Sequence, residues 1–251
     1  MAVLTPQPEP VVREVGARPL LENGDRLSRA EFERRYHLMP EVKKAELIEG
    51  IVYMPSPARL KRHAFPQGAV ATWLGTYQAE TPGVLMADNA TVRLDLDNEP
   101  QPDLLLLRLP EHGGQARLSE DDYVEGAPEL VVEIVGSARA YDLHQKKEAY
   151  RRNAVREYLA WITEEARVVW WELREGAFVE LPPDSDGLLK SRAFPGLWLD
   201  AAALLRGDLR GVLEALRHGL KSPERRGGAA QDLPPTPPGS PTPLMRPGRP
   251  T

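Results

Sequence analysis

The chain reads as an α/β protein, a central mixed β-sheet flanked by helices with an added antiparallel hairpin. Three observations predict this class. Two short, strongly apolar runs, 103–108 and 129–135, read as strands, and the second, the most apolar in the chain, has the character of a central strand covered on both faces. Residues 60–79 have helical spacing, and residues 142–152 read as a helix by composition. Residues 157–162 and 167–173, rich in Tyr, Trp and Val, flank the short polar stretch Thr163-Glu164-Glu165-Ala166 and so read as a hairpin.

Taken in order, residues 1–20 read as an extended arm crowded by Pro6, Pro8 and Pro10. Ser28 followed by Glu31 has capping-box spacing and starts a helix through about Tyr36, which Pro40 ends. Glu46 to Met54 reads as two short strands around a Glu49-Gly50 turn. In the segment 60–79, Ala69, Val70, Trp73, Leu74 and Tyr77 share one face, and Pro66 either kinks the helix or marks its first turn. Strands follow near 84–87, 90–95 and 103–108, then a polar loop with Gly113-Gly114 and the acidic run Glu120-Asp121-Asp122. After the strand 129–135 come a helix over 142–152, the hairpin, short strands near 177–181 and 188–190, and one helix over about 200–218. Residues 221–251 hold nine prolines and four glycines with almost no large apolar side chain. Burial cannot offset the ordering entropy of such a segment, so it reads as a disordered tail. The expected organisation is thus an arm over 1–20, one domain over 21–220 and a tail over 221–251.

At 41% hydrophobic and 27% charged, the 251 residues can bury a core. No cysteine is present, which excludes disulfides, thiolate metal sites and cysteine nucleophiles. Glu9, Arg13 and Glu14 interrupt any signal-like apolar segment, and no run approaches membrane-span length. A soluble, cytoplasmic protein without a membrane partner is the expectation. The net charge of −5 argues against coating nucleic acid by bulk charge. Three local basic clusters remain, Lys43-Lys44, Arg59 to His63, and Arg151-Arg152 with Arg156, each of which also reads as a solvated face.

Two carboxylates stand out. Asp103 enters a run of four leucines, and Glu133 lies inside an apolar strand. A charge in such a setting is costly to desolvate unless it is paired or holds a metal. With an ammonium nearby, two such acids suit a hard divalent cation, Mg²⁺ or Mn²⁺, that acts on a phosphate ester. Asp103 and Glu133 are the expected metal ligands, with the backbone carbonyl of Ile134 as a further one, and Lys146 can point back at the site from the following helix. Each has a simpler reading. Asp103 can cap a strand or pair with an arginine, and Lys146 can pair with Asp142 one helix turn away. His63 reads as a surface histidine, and Tyr150, Trp161, Trp170 and Trp171 as packing residues.

These residues resemble the PD-(D/E)XK nuclease superfamily, and more closely its Uma family of bacterial endonucleases. The resemblance rests on an ordered set: Glu46-Leu47-Ile48-Glu49-Gly50 with Met54 and Pro57, Gln101-Pro102-Asp103, Ala127 to Ile134, Asp142 with Lys146 and Tyr150, and Val155-Arg156-Glu157-Tyr158. It covers roughly residues 25–200. It implies a restriction-endonuclease-like fold and divalent-metal-dependent hydrolysis of DNA phosphodiester bonds. Asp103 and Glu133 would be the acids, and Lys146 the lysine displaced from strand to helix, with Lys147 as the substitute. Glu46 would join the metal shell or orient a water, although an exposed strand residue is an equal reading. One departure is Gly136-Ser137-Ala138-Arg139, where the family has a Ser-Pro-Ser/Thr turn. Two other functions fit the residues: a catalytically silent nuclease-like module that binds nucleic acid or protein, and an acid/base pair for glycoside hydrolysis. The apolar hairpin with Trp170-Trp171 suggests a homodimer face.

Overall fold

The computed structural model describes residues 20–55, 59–136 and 141–225. All but the last residue of the arm expected over 1–20, all but the first residues of the expected tail, and the departure at Ser137-Ala138-Arg139 lie outside the described residues. In chain order the elements are α1 (Arg29–Tyr36), β1 (Glu46–Ile48), β2 (Ile51–Tyr53), α2 (Phe65–Ala79), β3 (Val84–Asp88), β4 (Val92–Arg93), β5 (Leu104–Arg108), β6 (Arg117–Leu118), β7 (Val124–Glu125) and β8 (Leu130–Val135). There follow α3 (Lys147–Arg152), β9 (Glu157–Ile162), β10 (Arg167–Arg174), β11 (Ala177–Glu180), β12 (Leu189–Lys190), β13 (Trp198–Leu199), α4 (Ala201–Leu205) and α5 (Leu209–Leu220).

Six strands form the central sheet in the order β11-β10-β9-β8-β5-β3. β8 and β9 run parallel, and every other neighbouring pair is antiparallel, so the sheet is mixed as expected. The parallel pair needs a crossover, which α3 supplies. Both β8 and β9 are buried along their whole length, which explains their near-continuous apolar sequence.

Alternation along the strands sorts the core onto two faces. Leu104, Leu106, Val132, Ile134, Leu159 and Trp161 face one way, onto α2 and α5, where Trp73 and Trp170 meet edge to face with ring centroids 5.8 Å apart. Val131, Val135, Tyr158 and Ala160 face the other way, beneath α3. The predicted face of α2 is confirmed, since Val70, Trp73, Leu74 and Tyr77 are buried and Pro66 lies in the first turn.

The structure corrects several expectations. Ser28 precedes α1 but makes no side-chain cap; Glu31 instead binds Arg34 and Arg35 along the helix at 2.7 Å. The single helix over 200–218 is two, because Gly207 adopts φ +74° and Asp208 then caps α5 by accepting from the Gly211 N–H. Residues 221–225 do not behave as a tail, since Ser222 is buried and the Arg225 guanidinium lies 5.4 Å from the Tyr77 ring centroid. The tryptophans of the hairpin are internal. Trp170 is fully buried, and Trp171 stacks on Tyr158 beneath the Lys147 ammonium. Both tryptophans that suggested a homodimer face thus make contacts within the chain.

Candidate metal-dependent hydrolytic site

The pairing of β5 with β8 builds the site. Leu104 faces Val132 and Leu105 faces Val131, so the same register carries Asp103, just before β5, to the position opposite Glu133. Directly opposed residues project side chains to the same side of a sheet, within about 5 Å of each other at Cβ. The N–H of Ile134 donates to Asp103 Oδ2 at 2.8 Å, which locks the aspartate onto the end of β8. In an extended strand the N–H and C=O of one residue leave on the same edge. The Ile134 carbonyl therefore points to the Asp103 side.

Lys146 closes a wide π-type turn over Tyr141–Lys146 that leads into α3. Its ammonium is buried and lies 2.7 Å from Glu133 and 2.8 Å from Glu46. The hairpin β1–β2 brings Glu46 in. Its turn residues Glu49 and Gly50 both take positive φ, and Leu47 exchanges backbone hydrogen bonds with Glu99. The Gln101 N–H donates to Glu46 Oε1 at 2.7 Å, and the Tyr141 hydroxyl lies 3.3 Å from Glu46 Oε2. Tyr150 donates to Glu133 Oε1 at 2.7 Å. Asp103, Glu133, Lys146 and Glu46 therefore form one cluster, and Glu46 is buried rather than an exposed strand residue. Lys147 points elsewhere, onto the Trp171 ring at 3.6 Å.

Two basic side chains cover Asp103. His63 Nε2 lies 3.1 Å from Asp103 Oδ2, and Lys44 Nζ lies 3.4 Å from Asp103 Oδ1. Gln67, one turn beyond His63, donates to the Asp103 carbonyl at 3.3 Å. Asp103 is 3% exposed and Glu133 2%, so solvent reaches Lys44 and His63 before either carboxylate. His63 is thus a member of the site and not a free surface residue. The sequence marked both partners only as parts of basic clusters.

Charge follows this geometry. Burial pushes the Asp103 carboxyl up, but the hydrogen bond from His63 and the charge of Lys44 outweigh it and hold the group at about 2. Burial raises Glu133, opposed by Lys146. Burial likewise holds Asp142 well above the usual carboxylate range. Burial works against the charge of Lys146, yet Glu133 and Glu46 prevail and keep it protonated. The hydrogen bond to Asp103 raises His63.

Among the described residues no group of three or more His, Asp or Glu side chains is arranged as an all-protein metal cage. A hard dication such as Mg²⁺ does not require one, because it commonly takes one or two carboxylates, waters and a substrate phosphate. The oxygen donors of Asp103 and Glu133 suit that chemistry, and the two cations beside Asp103 mark a place where positive charge is held.

The family described as "Uma2: Putative restriction endonuclease" matches residues 29–202. The chain belongs to the Uma2 family. The matched span runs from α1 to α4 and contains every residue of the cluster. No curated protein matches the chain. The fold is similar to a solved structure titled as a putative nuclease belonging to DUF820 from Anabaena variabilis, at TM-score 0.53 and 15% identity over 69% of this chain and 96% of that one. This Uma2 chain therefore shares its mixed sheet and flanking helices with that protein. Among the described residues no helix is long and apolar enough to cross a membrane.

Proposed function

We propose that the chain is a divalent-metal-dependent endonuclease that hydrolyses DNA phosphodiester bonds. The observation that carries this reading is the register that sets Asp103 opposite Glu133, with the Lys146 ammonium 2.7 Å from the glutamate. Asp103, Glu133 Oε2 and the Ile134 carbonyl would hold Mg²⁺ or Mn²⁺. A dication there would supply a bound water of lowered pKa and offset charge on the phosphate. Lys146, kept protonated by two carboxylates, is a fixed cation rather than a base, and it favours a developing negative charge beside Glu133. Tyr150 and Lys146 both bind Glu133 Oε1 and leave the other oxygen to face the ligand. Glu46 is the second carboxylate that holds the lysine in place. Lys44 and His63, whose side chains reach solvent, would have to leave Asp103 for it to hold a metal, and would then be free to bind the DNA backbone.

The test is nicking of supercoiled plasmid with Mg²⁺ or Mn²⁺. Wild type is expected to cut, and Asp103→Asn is expected to be inactive. Equal activity in the two proteins, or none in either, refutes the reading. One observation favours a second reading, a nuclease-like module that binds DNA without cutting it. Asp103 is already neutralised by Lys44 and His63 and is 3% exposed. Salt-sensitive binding without metal-dependent cleavage would select it.

A further inference from the structure

A cavity of about 330 Å³ opens on the α2 side of the sheet, lined by Ala64, Phe65, Gly68, Ala69, Trp161 and Leu204, among others. It lies between the first turns of α2, the indole of Trp161 on β9 and the turn that joins α4 to α5. Small residues create it. A Cβ built on Gly68 would meet no atom within 4 Å. Its volume is near the lower end for small-molecule sites, about 300 Å³ upward, and so fits one planar ring system with its substituents.

Position links the cavity to the candidate site. Each helical residue turns about 100° from the last. His63 and Gln67 therefore face Asp103, while Ala64, Phe65 and Gly68, a part-turn round the same segment, face the cavity. Trp161 pairs with Ile134 in the parallel β8–β9 register, so the cavity lies at the same end of the sheet as the acids but on its other face, and the segment 63–67 that leads into α2 spans the two. The turn that ends in the lining residue Ala64 carries Lys61, Arg62 and His63. Arg62 reaches across to Glu164 in the β9–β10 turn at 2.7 Å. Phe65 is exposed. An apolar, aromatic-lined slot edged by cations, one peptide step from a residue that touches Asp103, matches a nucleotide in both its parts: ring inside, phosphate at the edge.

We propose that this cavity takes one unstacked nucleobase from the strand whose backbone sits at Asp103. The proposal rests on the nuclease reading and adds a substrate requirement to it. The strand must present a base free of its stack, as in single-stranded or locally opened DNA, since a base inside an intact duplex cannot enter a side pocket without extrusion.

The test uses the full chain carrying Asp103→Asn, so that DNA is not cut. It compares binding, by fluorescence anisotropy, of a single-stranded oligonucleotide and the same backbone with abasic sites. One base on an aromatic surface is commonly worth about tenfold in affinity. The base-containing strand is expected to bind about tenfold more tightly. Adding Gly68→Leu, which fills the cavity, is expected to abolish that difference while leaving abasic binding unchanged. Gly68→Ala is expected to preserve it, and thermal melting checks that both variants fold. Binding without discrimination, or discrimination that survives Gly68→Leu, overturns this inference and leaves the nuclease reading standing. Absence of binding to either strand overturns both. A change in sedimentation with Gly68→Leu would assign the cavity to a second copy of the chain and also overturn it.

Discussion

Lys146→Met tests the electrostatic argument most directly. The ammonium is 1% exposed and lies 2.8 and 2.7 Å from Glu46 and Glu133. At an effective dielectric constant of about 20, each contact is worth on the order of 6 kcal/mol before desolvation is counted. Most of that gain is offset by the cost of burying the charges. The measurable quantity is the penalty for leaving two carboxylates buried without their cation, about 3–5 kcal/mol. Methionine keeps the length and apolar stem of lysine, so the loss isolates the charge. Urea unfolding followed by circular dichroism at neutral pH reads it. The loss should shrink on acidification. Burial raises Glu133, so the stability it contributes is present below its unfolded value near 4.5 and lost as pH rises through the folded value. Adding Glu133→Gln to Lys146→Met should restore part of the loss at neutral pH. A Lys146→Met protein within about 1 kcal/mol of wild type would show that the triad is solvated or its charges are not balanced as described.

Other outcomes follow from the same structure. Glu157 accepts from Ser191, Arg192 and Ala193, yet burial raises its carboxyl to about 7 against those donors. Its contribution is therefore complete below about pH 4.5 and lost as pH rises through 7, about 3 kcal/mol in all. Glu157→Gln should flatten that decline in urea-unfolding profiles between pH 5 and 8, and an unchanged slope would contradict the assignment. Mg²⁺ should raise the melting temperature of wild type but not of Asp103→Asn, and an equal rise in both would remove Asp103 from the ligand set. A Cβ on Gly219 would fall 2.3 Å from the Gly196 carbonyl oxygen, so Gly219→Ala should cost about 1–3 kcal/mol by urea unfolding. Gly68→Ala meets open space in a helix interior and should gain about 0.5–1 kcal/mol by the same measurement.

The sheet was legible where sequence and burial carry the same message. Leu104–Arg108 and Leu130–Val135 are apolar without alternation because both their faces are covered, and that pattern is local. The buried acids were legible for the same reason, since a carboxylate inside such a run demands a partner. The identity of the partners was not local. His63 and Lys44 reach Asp103 across 40 and 59 residues, and nothing in a basic cluster says which of its members turns inward. Lys146 was legible as an ammonium one loop beyond Glu133, with the resemblance adding its role, and an i+4 ion pair with Asp142 was an equal reading; the structure pairs it with Glu133 and Glu46. The break between α4 and α5 was missed because the apolar stripe of residues 200–218 continues across it. Gly207 and Asp208 held the signal, a left-handed residue followed by an N-cap, but periodicity outweighed it.

Glu133 belongs to a strand bonded along both flanks, to β5 on one side and β9 on the other. Amides in such a strand exchange with solvent only when the whole domain opens. Lys44 and His63 stand on a loop and on the turn before α2, beyond that lattice, and their segments can shift without breaking a single rung of it. The inner part of the site, Asp103 and Glu133 with the buried Lys146, is thus tied to the central sheet, and the outer part, Lys44 and His63, to segments that can relax without it. Deuterium uptake should separate the two parts by orders of magnitude in rate, with the division falling between Asp103 and the groups that cover it.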